Sequence, residues 1–102
     1  FKMNKINHIK SNVFVNLFQL MRLDLSHNRI ENISIEFFNF INLTVRSRLL
    51  SLDLGFNNLK NLIFLSNRYL YNIKVLDISN NLINYLNRAN FRFLTSLDNL
   101  LI

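Results

Sequence analysis

The sequence predicts an α/β repeat solenoid, an arc with short parallel strands on its concave face and irregular or short helical segments on its convex face. Three observations predict this fold class. An asparagine recurs in one frame, apolar residues recur at constant distances after it, and short alternating triplets recur before it. The asparagines are Asn4, Asn28, Asn57 and Asn81, which lie 24, 29 and 24 residues apart. A period of this length is typical of stacked repeats.

Apolar residues follow each asparagine at offsets of 2, 5, 10, 13, 16, 19 and 21 residues. In the first unit they are Ile6, Ile9, Phe14, Leu17, Leu20, Leu23 and Leu25. Over four units 27 of 28 such sites are apolar, although a chain that is 50% hydrophobic would fill about 14 by chance. The exception is Asn67, and the second unit fits once five extra residues, Thr44 to Arg48, are skipped. The counts predict about four units in one array over residues 1–102.

Each element of a unit has a physical reason. The triplets Leu23-Asp24-Leu25, Leu52-Asp53-Leu54 and Leu76-Asp77-Ile78 alternate apolar and polar residues, which predicts short strands. Such a strand cannot bury its apolar side alone, but parallel strands stacked about 4.8 Å apart make one continuous core. The asparagine ends the strand where the backbone turns, and its amide can satisfy several turn N–H and C=O groups. We therefore expect the four asparagines to form a ladder.

These residues resemble a known repeat family. The segment from Leu20 to Ile30 matches the leucine-rich-repeat signature L-x-x-L-x-L-x-x-N-x-L, and residues 49–59 and 73–83 match it too. The 24-residue length, with Phe14, Phe38 and Phe91 at offset 10, is similar to the "typical" subclass of Toll-like receptors and of chaoptin-like and Slit-like proteins. The resemblance implies the protein-binding ectodomain of a receptor or adhesion protein at the cell surface. The chain departs from that subclass in having no cysteine-rich caps.

The residues between the core leucines are predicted to face outward on the concave side, which is the binding surface of such solenoids. The predicted binding residues are Arg22, Asp24, Ser26, His27, Ser51, Asp53, Phe56, Val75, Asp77, Ser79 and Asn80. The three aspartates share one column, which would attract a cation or a basic partner unless each is solvated or hydrogen-bonded locally. Phe56 is either an exposed anchor for a partner or packed against His27 and Asn80.

Two glycosylation sequons begin at Asn32 and Asn42. With 19 Asn and ten Ser or Thr in the chain, about two sequons are expected by chance. The sequons are therefore candidate modification sites without being evidence for secretion.

The composition excludes several classes of function. The absence of Cys removes disulfides, thiolate zinc sites and a cysteine nucleophile, and the single Gly removes a glycine-rich phosphate loop. With only two His, we expect no metal site, no cofactor and no enzymatic activity. No apolar run reaches the ~18 residues of a membrane span. Because the chain starts at Phe1 without a signal peptide, we expect it to be a piece of a longer protein.

Two alternatives to the ectodomain stay open. The first is an intracellular leucine-rich-repeat scaffold, because nothing inside the units needs an oxidising compartment. Nucleic-acid binding would use the net charge of +6. The cations are mostly dispersed singly along the sequence, with only Arg46 and Arg48 close together, so we expect nucleic acid to be the weaker alternative.

Overall fold

The computed structural model describes residues 8–9, 21–38 and 49–102. Its strands, in chain order, are β1 (His8–Ile9), β2 (Arg22–Asp24), β3 (Asn32–Ile33), β4 (Ser51–Asp53), β5 (Val75–Asp77) and β6 (Asn99–Leu101). β2, β4, β5 and β6 form a four-stranded sheet in that order, and every pair is parallel. The prediction of short parallel strands is confirmed, although β2, β4 and β5 each start and end one residue before their predicted triplets. A second parallel pair, β1 with β3, was not predicted.

The register of the sheet follows the repeat frame. Leu23 lies opposite Leu52, which in turn lies opposite Leu76, and Leu100 continues this row on β6. The five residues between 44 and 48 therefore change the length of the second unit without shifting its strand. A shift of one residue would place every side chain of a strand on the opposite face of the sheet. Residues 44–48 themselves lie outside the described residues, as do Asn4 and Asn42.

Helical structure in the described residues is limited to short 3-10 turns. They include residues 37–38 and the turns Ile63–Ser66, Arg68–Leu70 and Arg88–Phe91. Asparagine side chains begin the last two: Asn67 Oδ1 accepts from the Tyr69 N–H at 2.9 Å, and Asn87 Oδ1 accepts from the Ala89 N–H at 3.0 Å. These caps satisfy the first N–H groups of each turn, which have no partner within the turn.

The core lies between the four-stranded sheet and the segments with 3-10 turns. Along each of the first three strands of that sheet the middle leucine is buried, while its neighbours are more exposed. The apolar residue after each strand is also buried: Leu25, Leu54 and Ile78 are at most 1% exposed. Full burial of one such side chain stabilises the fold by about 1.5–3 kcal/mol. The stacked leucines therefore contribute most of the apolar burial that stabilises the fold.

Asn67 replaces an aromatic residue at a core site of the third unit. It is buried, and its Nδ2 donates to the Ile35 carbonyl oxygen of the preceding unit at 2.8 Å. Phe38, the aromatic residue of that unit, is in the core, with its ring centroid 6.1 Å from that of Phe64. The polar exception in the apolar pattern thus cross-links two units through a hydrogen bond and caps a 3-10 turn.

The repeated asparagines bind the backbone of two successive turns. Asn57 Nδ2 donates to the carbonyl oxygens of Leu54 at 3.0 Å and of Leu25 at 3.0 Å, and its Oδ1 accepts from the Ile30 N–H at 3.1 Å. Asn81 repeats this arrangement one unit later. It donates to Leu54 O at 2.9 Å and to Ile78 O at 3.0 Å, and it accepts from the Leu59 N–H at 3.0 Å.

Asn28 donates to the Leu25 carbonyl oxygen in its own turn at 2.9 Å. Among the three described asparagines of the frame, Asn28 and Asn57 are buried and Asn81 is half-buried. Buried amides with this many partners are costly to replace, because a backbone group left without a partner keeps its full desolvation penalty.

We predict that Asn57→Leu destabilises the protein although it preserves volume. The Leu25 and Leu54 carbonyls keep bonds from Asn28 and Asn81, but the buried Ile30 N–H loses its acceptor. The expected loss is about 2–4 kcal/mol of unfolding free energy, from one stranded donor plus the lost amide bonds. Urea denaturation would measure it. Asn84→Leu, at an exposed asparagine, is the matched control and should change the unfolding free energy by less than about 0.5 kcal/mol.

Candidate functional site

The outward side of the four-stranded sheet carries two columns of predicted binding residues. Arg22, Ser51 and Val75 stand opposite one another at the strand starts, and Asp24, Asp53 and Asp77 stand opposite one another at the strand ends. We call these six residues the strand face. Arg22 and Asp24 on the first strand are exposed, and the other four are half-buried. On β6 the columns continue as exposed Asn99 and Leu101.

The aspartates of the strand face hold the turns that follow their strands. Asp24 Oδ1 accepts from the Ser26 N–H at 2.9 Å and from the Ser26 hydroxyl at 2.6 Å. Asp77 Oδ1 accepts from the Ser79 N–H and hydroxyl at the same two distances. Such side-chain bonds two residues ahead are a common way of fixing a turn. Local hydrogen bonding, one of the two readings that the sequence leaves open, is therefore present.

Ser26 differs from its predicted place on the binding surface. The whole residue is only 3% exposed, because its hydroxyl is directed to the Asp24 carboxylate. Ser79, which holds the equivalent position after β5, is half-buried. Ser26 therefore supports the turn from within and does not present its side chain to a partner.

Gly55 takes the position that serine occupies in the neighbouring units. Asp53 Oδ1 accepts from the Gly55 N–H at 2.9 Å, but no hydroxyl is present to supply the second bond. A Cβ at residue 55 would lie 3.2 Å from Oδ1 of Asp53 and 3.2 Å from Oδ1 of Asp77. The only glycine of the chain thus lies between two carboxylates, one from its own strand and one from the next.

A second row of predicted residues lies just before the asparagine ladder. His27, Phe56 and Asn80 have φ angles of 56°, 56° and 55°. We call these three residues the turn row. In this left-handed region an asparagine is tolerated, but an ordinary side chain costs roughly 1–2 kcal/mol. The conformation lets the His27 N–H donate to Gly55 O at 2.9 Å and the Phe56 N–H donate to Ser79 O at 3.0 Å.

The two rings of the turn row stack on each other. The His27 and Phe56 ring centroids are 4.3 Å apart with an interplanar angle of 10°. Phe56 is nevertheless 50% exposed, and His27 and Asn80 are exposed as well. Phe56 therefore combines both readings of the sequence, since it packs against His27 and still presents a large apolar surface to solvent.

The left-handed backbone conformation of the turn row was not predicted from the sequence. The usual signal for it is glycine, and none of these three positions carries one. Asn80 is a weaker signal that was available, because asparagine enters this region more readily than other non-glycine residues. His27 is a similarly weak signal, since histidine is also enriched in this region, and only at Phe56 does the residue type point away from the observed backbone conformation.

The six side chains of the strand face lie on an outward surface of the sheet, where all of them are exposed or half-buried. Within the described residues no three His, Cys, Asp or Glu side chains are grouped as a metal site would require.

Three further features lie outside the strand face. A cavity of about 240 Å³ is lined by Ile35, Glu36 and the turn at Asn67. Asn32 of the first sequon is exposed on β3. Across the part of the chain that the structure describes, no helix has the length and apolar character needed to cross a membrane.

Comparisons with known proteins give no further assignment. Neither protein-family models, nor curated proteins, nor solved structures match this chain. The functional argument therefore rests on the residues and their geometry.

We predict that Gly55→Ser is more stable than Gly55→Ala. Both variants add the same Cβ beside the carboxylates, but only serine supplies a hydroxyl that can donate to Asp53, as Ser26 and Ser79 donate to their aspartates. A hydrogen bond to a charged group contributes about 1.5 kcal/mol or more, less where solvent competes, so we expect a difference of about 1 kcal/mol. Parallel urea titrations of the two variants would measure it. Equal stabilities would show that the hydroxyl contributes nothing to this turn.

Proposed function

We propose that this chain is part of a leucine-rich-repeat solenoid whose strand face and turn row bind a protein partner. The proposal is supported by the constant parallel register of four strands and by the asparagine bonds that recur at the same position in successive turns. The backbone that carries these side chains is therefore held at constant positions. A fixed surface loses little conformational entropy when it binds.

The observation that carries the binding proposal is the backbone conformation at Phe56. Glycine would occupy φ 56° without strain, yet this position carries a half-exposed aromatic ring stacked on His27. Unfavourable backbone conformations persist where the surrounding structure enforces them, and they are concentrated at functional sites. Large exposed aromatic side chains that are rigidly held are also enriched among the residues that dominate binding energy.

Charge favours a protein partner over nucleic acid. The described residues carry seven Lys or Arg and all six Asp or Glu of the chain, so their net charge is +1. On the strand face itself one arginine stands among three aspartates. A nucleic-acid interface needs a concentration of cations that can contact phosphates, and the strand face offers the opposite balance.

The placement in an extracellular receptor or adhesion protein rests on the subclass resemblance. The exposed position of Asn32 is compatible with a glycan there. An intracellular scaffold is the alternative. Paired cysteines flanking this segment in the encoding gene would favour the ectodomain, whereas an adjoining cytosolic domain would favour the scaffold.

We predict that Phe56→Gly leaves folding almost unchanged and weakens partner binding at least tenfold. Removing the ring loses a stack worth about 0.5–1.5 kcal/mol, while glycine relieves a backbone strain of similar size. A photo-reactive benzoylphenylalanine at Val75 on the strand face would capture the partner from cells that produce the protein. One defined adduct is expected, with at least tenfold lower yield in the Phe56→Gly background, while the melting temperature is preserved.

The matched control places the same photo-reactive group at Tyr71. This residue is also exposed, but it lies in the turn before β5 and outside both the strand face and the turn row. Equal adducts from the two positions, or an adduct unaffected by Phe56→Gly, would contradict binding through this surface.

A salt titration tests the nucleic-acid alternative. We expect the chain to bind neither a 20-base-pair DNA nor a 20-nucleotide RNA more tightly than a Kd of about 10⁻⁴ M at 0.15 M salt. That value is the weak end of non-specific affinity. Fluorescence anisotropy at several salt concentrations would measure it. Micromolar binding that falls steeply with salt would replace the protein-partner proposal.

A further inference from the structure

The chain between the strands of the four-stranded sheet is basic in the third and fourth units. Residues 58–74 and 82–98 together carry five Lys or Arg and a single acid, Asp98, which adjoins β6. The strand face has the opposite balance, with three aspartates and one arginine. An anion would therefore be attracted to the segments between the strands and repelled by the strand face.

The fold brings Arg68 and Arg92 together, although they belong to different units. Each stands 11 residues after the frame asparagine of its unit. Two residues earlier in the frame, the Ser66 hydroxyl donates to Asn90 Oδ1 at 3.5 Å. The 3-10 turns that contain Ser66 and Asn90 also pack against each other. The two arginines are therefore neighbours across the boundary between the units, and both are exposed.

Each of these arginines is held by the aromatic residue that follows it. Arg68 Cζ lies 5.2 Å from the centroid of the Tyr69 ring, and Arg68 Nη2 donates to the Tyr69 hydroxyl at 3.2 Å. Arg92 Cζ lies 4.6 Å from the centroid of the Phe93 ring. An aromatic ring attracts a guanidinium but has no net charge, so both arginines keep their full positive charge. The rings also restrict the two side chains, which lowers the entropy lost when a ligand binds.

One acid lies on the other side of Arg68. Glu36 and Arg68 both line the cavity of about 240 Å³. The Ser34 hydroxyl donates to Glu36 Oε2 at 2.8 Å, and within the described residues no ion pair joins Glu36 to Arg68. Glu36 therefore weakens the attraction of an anion to Arg68 without neutralising the arginine by direct contact.

We propose that Arg68 and Arg92 form a binding site for a phosphate dianion, either the free ion or the terminal group of a phosphate monoester. Guanidinium groups donate in a planar fork that matches phosphate oxygens. Two neighbouring positive charges favour a doubly charged group, because a group with one charge, such as a phosphodiester, compensates only one arginine. The site is separate from the strand face and the turn row, and it does not depend on a partner there.

An NMR titration of the 102-residue chain tests the site, with the Cδ–Hδ signals of its arginines as the readout. The probes are inorganic phosphate, phenyl phosphate and dimethyl phosphate, at about pH 8, where phosphate and its monoesters are dianions. Dimethyl phosphate is a diester with one charge. The ionic strength is low and is kept constant with sodium chloride, because salt screens exposed charges.

Inorganic phosphate should shift the signals of Arg68 and Arg92 with one common Kd. We expect Arg68→Gln and Arg92→Gln each to weaken phosphate binding about fivefold or more. Lys60→Gln is the matched control, since it removes an exposed cation of the third unit outside the pair, and it should change binding by less than about twofold. Glu36→Gln should tighten binding about twofold, a gain that a loss of folding cannot imitate.

The monoester and the diester complete the test. Dimethyl phosphate should bind about tenfold more weakly than inorganic phosphate, and equal binding of the two would overturn the proposal. Tighter binding of phenyl phosphate than of inorganic phosphate would identify a phosphorylated molecule as the ligand, whereas equal binding would identify the free ion. Equal shifts at every exposed arginine, or an Arg92 shift unaffected by Arg68→Gln, would overturn the site.

Discussion

A buried side-chain amide that bonds two turns at once is the constraint on which the rest of the structure depends. At Asn57 one amide group holds the carbonyl of its own turn and both a carbonyl and an N–H of the preceding turn. Among uncharged side chains only the amides of asparagine and glutamine offer two donors and an acceptor in one plane. Each turn must lie within hydrogen-bonding distance of the asparagine amide of the next turn. Successive strands therefore share one spacing and one register.

The register imposed by the amides determines both sides of the sheet. It brings Leu23, Leu52 and Leu76 together in the core, and it necessarily brings Asp24, Asp53 and Asp77 together on the other side. The carboxylates are in turn used by the fold, since each accepts from the backbone two residues ahead. The proposed binding surface and the core therefore depend on the same register.

Bonding is more complete in the middle of the ladder than at the β6 end. Leu25 O and Leu54 O have two asparagine donors each, while Ile78 O has one among the described residues. The residues of β6 are also all exposed, in contrast to the buried middle residues of β2, β4 and β5.

The periodic pattern by itself determined the strands of the four-stranded sheet, their parallel order and most residues of the core, because burial of leucine and the bonding capacity of asparagine are properties of residue types at given spacings. Leu86, Leu100 and Ile102 also stand at predicted core positions, but they are exposed. It determined the outward columns for the same reason, apart from Ser26, whose small hydroxyl turns back to Asp24. Only the tertiary structure decided the left-handed backbone at His27 and Phe56 and the role of Asn67. These depend on partners that lie 23 to 32 residues away in the sequence, such as Ser79 O for the Phe56 N–H and Ile35 O for Asn67. Local residue preferences contain no information about such distant partners, so the bonds that override those preferences become visible only when the units are packed together.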